Sequence, residues 1–217
     1  MIELEHVSKR YGASAVVEDL SLAIATGEFC VIIGTSGAGK STALKMINQL
    51  VSPSQGYVRV DGEEVSRLPP AALRRRIGYV IQSIGLFPHW TVARNIGAVP
   101  ELLGWSKARM RARAGELLAL LKLAPGSLLD RYPHELSIGQ QQRVGIARAL
   151  AADQDILLMD EPFGSLDPIT REALQAEIAE IQRASRKTIV FVTHDMEEAL
   201  RLASRIAVMD RGRLVQV

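Results

Sequence analysis

Gly34-Thr35-Ser36-Gly37-Ala38-Gly39-Lys40-Ser41-Thr42 lies between an apolar run, Phe29 to Ile33, and a stretch from Ser41 to Leu50 in which Ala43, Leu44, Ile47 and Leu50 recur at helical spacing. The stretch fits the phosphate-loop pattern G-x-x-x-x-G-K-[ST]. Its glycines let successive backbone N–H groups turn inward around phosphate, and the helix that follows aims the positive end of its dipole at the same charge. In this reading Lys40 reaches the β- and γ-phosphates and Ser41 binds Mg²⁺. The bare pattern arises by accident in about one chain of this length in a hundred. A buried strand before it and a helix after it make accident rarer still, so ATP or GTP is the expected ligand.

Upstream, Ile2 to about Ala25 shows short alternating apolar segments with turn signals at Tyr11-Gly12 and Thr26-Gly27, which predicts antiparallel strands. Downstream, a loop at Ser52 to Gly56 leads to a strand over Tyr57 to Val60 that ends in the Asp61-Gly62 turn. Ile77 to Ile81 reads as a buried strand. From Thr91 to about Ala152 the pattern is helical, broken near Pro100, Gly104 and Pro125. Strands then alternate with helices: Ile156 to Met159, a helix from Ile169 to Ala184, Thr188 to Thr193, a helix from Met196, and Ile206 to Met209. The expected fold is α/β, a mainly parallel sheet with helices on its faces, an antiparallel β subdomain at the start, and a helical subdomain inserted over about residues 84 to 152.

At 217 residues and 47% hydrophobic content, the chain can bury one core with an attached subdomain but not two independent domains. A net charge of +2 gives no argument for a nucleic-acid surface, and the basic clusters Arg74 to Arg76 and Lys107 to Arg113 read as solvated faces. Cys30 is the sole cysteine, which excludes an internal disulfide and a cysteine metal cluster. No apolar run approaches the roughly 20 residues of a membrane span, and the N-terminus has no signal-peptide pattern. A membrane role is therefore expected only through a partner.

Ile156-Leu157-Leu158-Met159-Asp160-Glu161 describes a buried strand that delivers two acids to its C-terminal end, where open α/β sheets bind ligands. Asp160 is expected to hold Mg²⁺ and Glu161 to polarise the attacking water as general base. A second strand, Ile189 to Thr193, ends at His194-Asp195 in the same way, placing an imidazole where it can contact the γ-phosphate and hold the water in line. Gln82 closes the strand at Ile77 to Ile81, and its amide can reach Mg²⁺ or the water. Leu136-Ser137-Ile138-Gly139-Gln140-Gln141-Gln142-Arg143 opens another helix, with Ser137 and Gln140 at capping-box spacing. That start is also an anion site at a dipole's positive end, so the chain can contribute it to a neighbour's nucleotide.

The sequence GTSGAGKST, Gln82, LSIGQQQR, ILLMDEP with Ser165-Leu166-Asp167, and Thr193-His194-Asp195, in that order, resembles the ATP-binding cassette family, the ATPase subunits of ABC transporters, over essentially the whole chain. The resemblance implies two copies packed head to tail, each ATP held between one chain's phosphate loop and the other's signature segment. It implies that Tyr11 stacks on adenine, that Ser137 and Gly139 bind the γ-phosphate in trans with Gln140 beside them, and that Asp167 couples the two sites. It further implies a membrane permease and an extracytoplasmic solute-binding protein as partners, and a place on the cytoplasmic face of the membrane. Tyr79 to His89, Val99 to Leu102 and Gly104-Trp105 are similar to importers of glycine betaine, choline and related osmoprotectants. In that subgroup the surface around Phe87 to Asn95 receives a coupling helix, and Arg94 here stands where many relatives carry an acid. Many members continue into a C-terminal regulatory region; this sequence stops at Val217, after its last strand signal, so such regulation is not expected within it. Uptake of another solute, such as an amino acid or sulfonate, is the alternative within transport, and a soluble cassette acting in translation or DNA repair is the alternative outside it. The family signature is usually LSGGQ, and Ile138 replaces its first glycine. A branched side chain there requires a negative φ and is expected to weaken closure or hydrolysis.

Overall fold

The computed structural model describes residues 1–217. In chain order, β1 (Ile2–Tyr11), β2 (Ser14–Ile24) and β3 (Phe29–Ile33) lead through the phosphate loop to α1 (Lys40–Ile47), then β4 (Gln55–Val60), β5 (Glu63–Glu64), α2 (Pro70–Arg75) and β6 (Ile77–Val80). The helices α3 (Val92–Ile96), α4 (Ala98–Leu102), α5 (Lys107–Leu120), α6 (Pro125–Leu128) and α7 (Ile138–Leu150) follow. The chain closes with β7 (Ile156–Asp160), α8 (Pro168–Ser185), β8 (Thr188–Thr193), α9 (Met196–Leu202), β9 (Arg205–Asp210) and β10 (Arg213–Gln216). An antiparallel sheet has the order β2-β1-β4-β5, and a six-stranded sheet the order β10-β9-β3-β8-β7-β6. From β9 across to β6 every pair is parallel, as expected from the strand and helix alternation, and α3 to α7 form the crossover between adjacent β6 and β7.

The parallel strands are apolar on both faces because each face carries its own core. Cys30, Ile32, Leu158, Val190 and Val192 point to one side, where Ala43, Leu44, Met46 and Ile47 of α1 fill the space up to Ile2, Leu4, Val58 and Val60 of the antiparallel sheet. Phe29, Val31, Leu157, Met159, Ile189 and Phe191, alternating with them, point to the other side and meet α5, α7, α8 and α9. Each fully buried aliphatic or aromatic side chain here contributes roughly 1.5 to 3 kcal/mol by leaving water. Cys30 sits within the first core as a free, buried thiol whose pKa burial pushes up to about 12.

Four local expectations are corrected. α1 ends at Ile47, Gln49 takes a φ of 55°, and the chain turns away so that Leu50 is 46% exposed instead of on the buried face. The strand at Ile77 stops at Val80, leaving Ile81 outside the ladder. Pro100 does not break the helical block: it occupies the first turn of α4, where no intrahelical N–H is needed, and the interruption falls at Gly97 and Gly104. The strand β10 was not foreseen; it pairs antiparallel with β9 beyond the Arg211-Gly212 turn. The basic clusters are engaged within the chain. Arg74 donates to the carbonyls of Asn48 and Gln49 at the end of α1, Arg76 pairs with Glu63 and Asp61, and Arg111 makes two bonds to Asp130.

Candidate nucleotide site

The phosphate loop leaves β3 at Gly34, where an added methyl group would strike the Met209 carbonyl of β9, so only glycine fits against the neighbouring strand. Gly39, at φ 90°, is the N-cap of α1 and offers no side-chain cap; a methyl there would meet the Val16 carbonyl of β2. The N–H groups of Gly37, Gly39, Lys40, Ser41 and Thr42 find no acceptor within the chain. They form a concave row of donors at a helix start, the arrangement that binds phosphate. Lys40 is 5% exposed, and its Nζ donates to the carbonyls of Gly34 at 2.8 Å and Thr35 at 2.9 Å. Burial lowers its pKa, against the opposing pull of Glu161 and Asp160.

Asp160, 2% exposed, ends β7 directly opposite this loop. The Ser41 hydroxyl donates to its Oδ1 at 2.6 Å, while the Tyr79 hydroxyl lies 3.5 Å and the Lys45 ammonium 3.8 Å from its Oδ2. Burial, with the Asp160 charge beside it, raises the pKa of the Tyr79 phenol. Sequence reasoning missed Lys45 and Tyr79. Lys45 was findable, since it follows Ser41 by one helical turn and so shares its face. No three His, Cys, Asp or Glu side chains gather to make an all-protein metal cage. A hydroxyl and a carboxylate in contact are instead the hard oxygen pair that suits an ion completed by phosphate and water.

Glu161 turns the chain out of the sheet with a left-handed φ of 45°, its N–H donating to the Val192 carbonyl at 2.9 Å. A non-glycine residue held there costs on the order of 1 to 3 kcal/mol, a cost that clusters at functional sites. Phe163 anchors the turn, fully buried against Phe191 with ring centroids 5.4 Å apart. The Glu161 carboxylate lies 3.3 Å from Nδ1 of His194 and 3.4 Å from Nε2 of Gln82. The structure therefore makes two pairings: Ser41 with Asp160, and Gln82 and His194 with Glu161. Gln82 was expected to reach either Mg²⁺ or the attacking water, and its amide lies on the Glu161 side of the site. Tyr11 is exposed at the end of β1, opposite Ser14 of β2 and with the Lys9 ammonium 5.0 Å from its ring centre.

The α7 start is built differently. Ser137 Oγ accepts from the Gln140 N–H at 3.2 Å, and Gln140 Oε1 accepts from the Ser137 N–H at 3.0 Å. This closed capping box leaves the N–H groups of Ile138 and Gly139 without an acceptor in the chain. Ile138 is 55% exposed and its φ is not positive, so the side chain imposes no backbone strain. Gly139 packs closely: a Cβ would come 2.9 Å from the Thr170 side-chain methyl at the start of α8, which would have to shift. The same two helices are locked by Arg143, which makes two bonds to the buried Glu177 carboxylate at 2.9 and 3.1 Å. Asp167 caps α8 by accepting from the Thr170 N–H at 3.0 Å, and the Thr170 side chain, together with that N–H, holds its carboxyl below the usual range. Ser137 and Asp167 are exposed, and no contact within the chain brings either to the phosphate loop.

On the flank, Arg94 lies over the Trp90 ring at 4.3 Å and Trp90 over Phe87 at 4.2 Å. Asn95, expected as part of a docking surface, is fully buried and bonds Phe87, Trp90 and Thr91 backbone groups, so it shapes that surface from beneath.

The family model described as "ABC transporter" matches residues 17–164, which include the phosphate loop, Gln82, the α7 start and the Asp160-Glu161 pair. The chain belongs to the ABC transporter family. It is an ATP-binding and ATP-hydrolysing cassette. It is similar to a glycine betaine uptake system ATP-binding protein of Escherichia coli strain K12, 61% identical over all of this chain and 70% of that protein. It is also similar to a glycine betaine/carnitine/choline transport ATP-binding protein of Bacillus subtilis strain 168, 56% identical over all of this chain and 57% of that protein. The chain thus spans 57% to 70% of the length of these relatives. Among solved structures, a dimeric ATP-binding cassette in a post-hydrolysis state with ADP and phosphate matches it with a TM-score of 0.89, 35% identity, and coverage of 100% of this chain and 97% of that one.

Proposed function

We propose that this cassette is the ATPase subunit of an importer for glycine betaine, choline or a related osmoprotectant, working as a head-to-tail pair beneath a membrane permease. The observation that carries the mechanism is the Glu161 carboxylate, fixed by a left-handed backbone between Gln82 and His194 one residue beyond the Ser41 and Asp160 pair. Residues Gly34 to Thr42 hold the phosphates of ATP through their free N–H groups and Lys40. Ser41 and Asp160 are the residues that would hold Mg²⁺, which supplies charge neutralisation at the β- and γ-phosphates. Glu161 accepts the proton of the attacking water, His194 orients that water, and Gln82 steadies the carboxylate. Tyr11 stacks on the adenine. Ser137, Gly139 and Gln140 complete the γ-phosphate site of a second copy, and Asp167 lies at the boundary between the copies.

The solute rests on the named relatives, and an extracytoplasmic solute-binding protein is expected to deliver it. No helix of the chain is long and apolar enough to cross a membrane, which fits attachment to the cytoplasmic face through the permease. Glu161→Gln tests the mechanism: it should keep ATP affinity, lower kcat by about 10² to 10⁴ and trap a closed dimer on gel filtration. Normal hydrolysis by this variant would overturn the assignment. Uptake of radiolabelled betaine and choline in a deletion strain tests the solute, and unchanged uptake of both would point to another one.

A further inference from the structure

Arg171 lies on α8 one turn beyond its N-cap, outside every motif that marks the nucleotide site. Its guanidinium spans two loops. Nη2 donates to the Leu166 carbonyl at 3.2 Å, and Nη1 stands 3.6 Å from Asp195 Oδ2. Nε is buried without a partner, and the Arg171 side chain lines a cleft of ≈ 60 Å³, with no hydrophobic residue in its wall, shared with Glu161, Thr193, His194, Asp195 and Glu198. Leu166 immediately precedes Asp167, and Asp195 immediately follows His194. The arginine therefore joins the segment expected at the partner boundary to the turn that carries the water-orienting histidine.

That turn is otherwise rigid. Asp195 Oδ1 accepts from the N–H groups of Glu197 and Glu198, its own N–H donates to the Thr193 hydroxyl at 3.0 Å, and that hydroxyl donates to Glu198 Oε2 at 2.6 Å. Glu198 is 5% exposed and takes a second bond from Gln175. A turn bonded on both flanks moves as a unit, so a displacement delivered to Asp195 is delivered to the imidazole next to it. Asp167, by contrast, is exposed and held by its cap bond, beside a Leu166 that is packed in the core and bonded to Arg171.

We infer that Arg171 is a positioning residue for hydrolysis, transmitting the placement of Leu166-Asp167 by the partner copy to His194 through Asp195. The inference rests on the reading above, in which His194 orients the water and Asp167 faces the second copy. Its test is a double-mutant cycle on the full chain, read by single-turnover hydrolysis of radiolabelled ATP. Arg171→Ala should lower the hydrolysis rate about tenfold while ATP affinity changes by less than about twofold, and in a His194→Ala background the same change should cost less than about twofold. Asp195→Asn keeps an oxygen to cap α9 but removes the charge, so it should reproduce the Arg171→Ala loss and stand in if that variant does not fold. Equal losses in both His194 backgrounds, or no loss in either single variant, would overturn the inference, because a merely structural arginine acts independently of the histidine. Glu161→Gln in the same assay separates the two failures: if it still hydrolyses ATP, the parent reading falls, and if it does not, a neutral Arg171 result falls on the inference alone.

Discussion

In the proposed function the starts of α1 and α7 both meet phosphate, yet they are finished in opposite ways. At α1 the cap is a glycine with no side chain, the loop leaves a row of N–H groups unclaimed, and a buried ammonium waits on the loop's own carbonyls. At α7 the capping box consumes two of the donors internally, and nothing within the chain faces the two that remain. A helix start built as a complete site gives up local capping, worth typically about 1 kcal/mol, and recovers it from the ligand. One built as half a site keeps its cap, remains stable alone, and presents only a few groups to whatever docks.

The largest effect expected from breaking this contrast is at Lys40. Lys40→Ala removes the only buried cation at the α1 start and should weaken ATP binding by about 100-fold or more, read by titration calorimetry. A change of less than about tenfold would mean that the N–H row alone suffices, and the contrast with α7 would shrink. At α7 the expected effect is smaller and of opposite sign. Ile138→Gly removes an exposed branched side chain from the surface proposed to meet a partner's phosphate and should raise the ATPase rate by a few-fold, in spite of a helix-propensity loss of up to about 1 kcal/mol. An equal or lower rate would remove Ile138 as an obstacle.

The smallest effect concerns stability at the end of β8, which neither helix start supports. Burial raises the Glu198 pKa, so the folded state prefers the neutral acid. The resulting stabilisation is complete below the ordinary carboxylate range and is lost as pH rises through the elevated folded value. Glu198→Gln stays neutral throughout. The melting temperature of the native chain relative to this variant should therefore fall as pH rises above the ordinary carboxylate range, and a constant difference would show that Glu198 does not titrate differently on folding.

The parts of this architecture legible in sequence were those written in consecutive residues. β3 and β8 were read to the residue, because a strand buried on both faces is a continuous apolar run bounded by turn or loop residues. The capping box at Ser137 was equally local. Leu50 was misread because helical spacing carries on past a turn that depends on Gln49 adopting positive φ, which its identity does not announce. β10 escaped because an edge strand of four exposed or half-buried residues has little hydrophobic signal. Ser41 and Asp160 lie 119 residues apart, and their pairing followed only from the chemistry assigned to each. The link from Leu166 through Arg171 to Asp195 had no such chemistry to announce it: an arginine on a helix is ordinary until the fold lays another loop beside it.

Cys30, sealed in the core beneath the phosphate loop, has a consequence at the bench. With its thiol buried and held protonated, the native chain is effectively silent toward thiol reagents at neutral pH. A cysteine placed at an exposed position such as Ile138 or Asp167 would be the single reactive sulfur in an otherwise unaltered molecule. The approach of one copy to another could then be timed by cross-linking, turnover by turnover, without first rebuilding the core to remove a competing thiol.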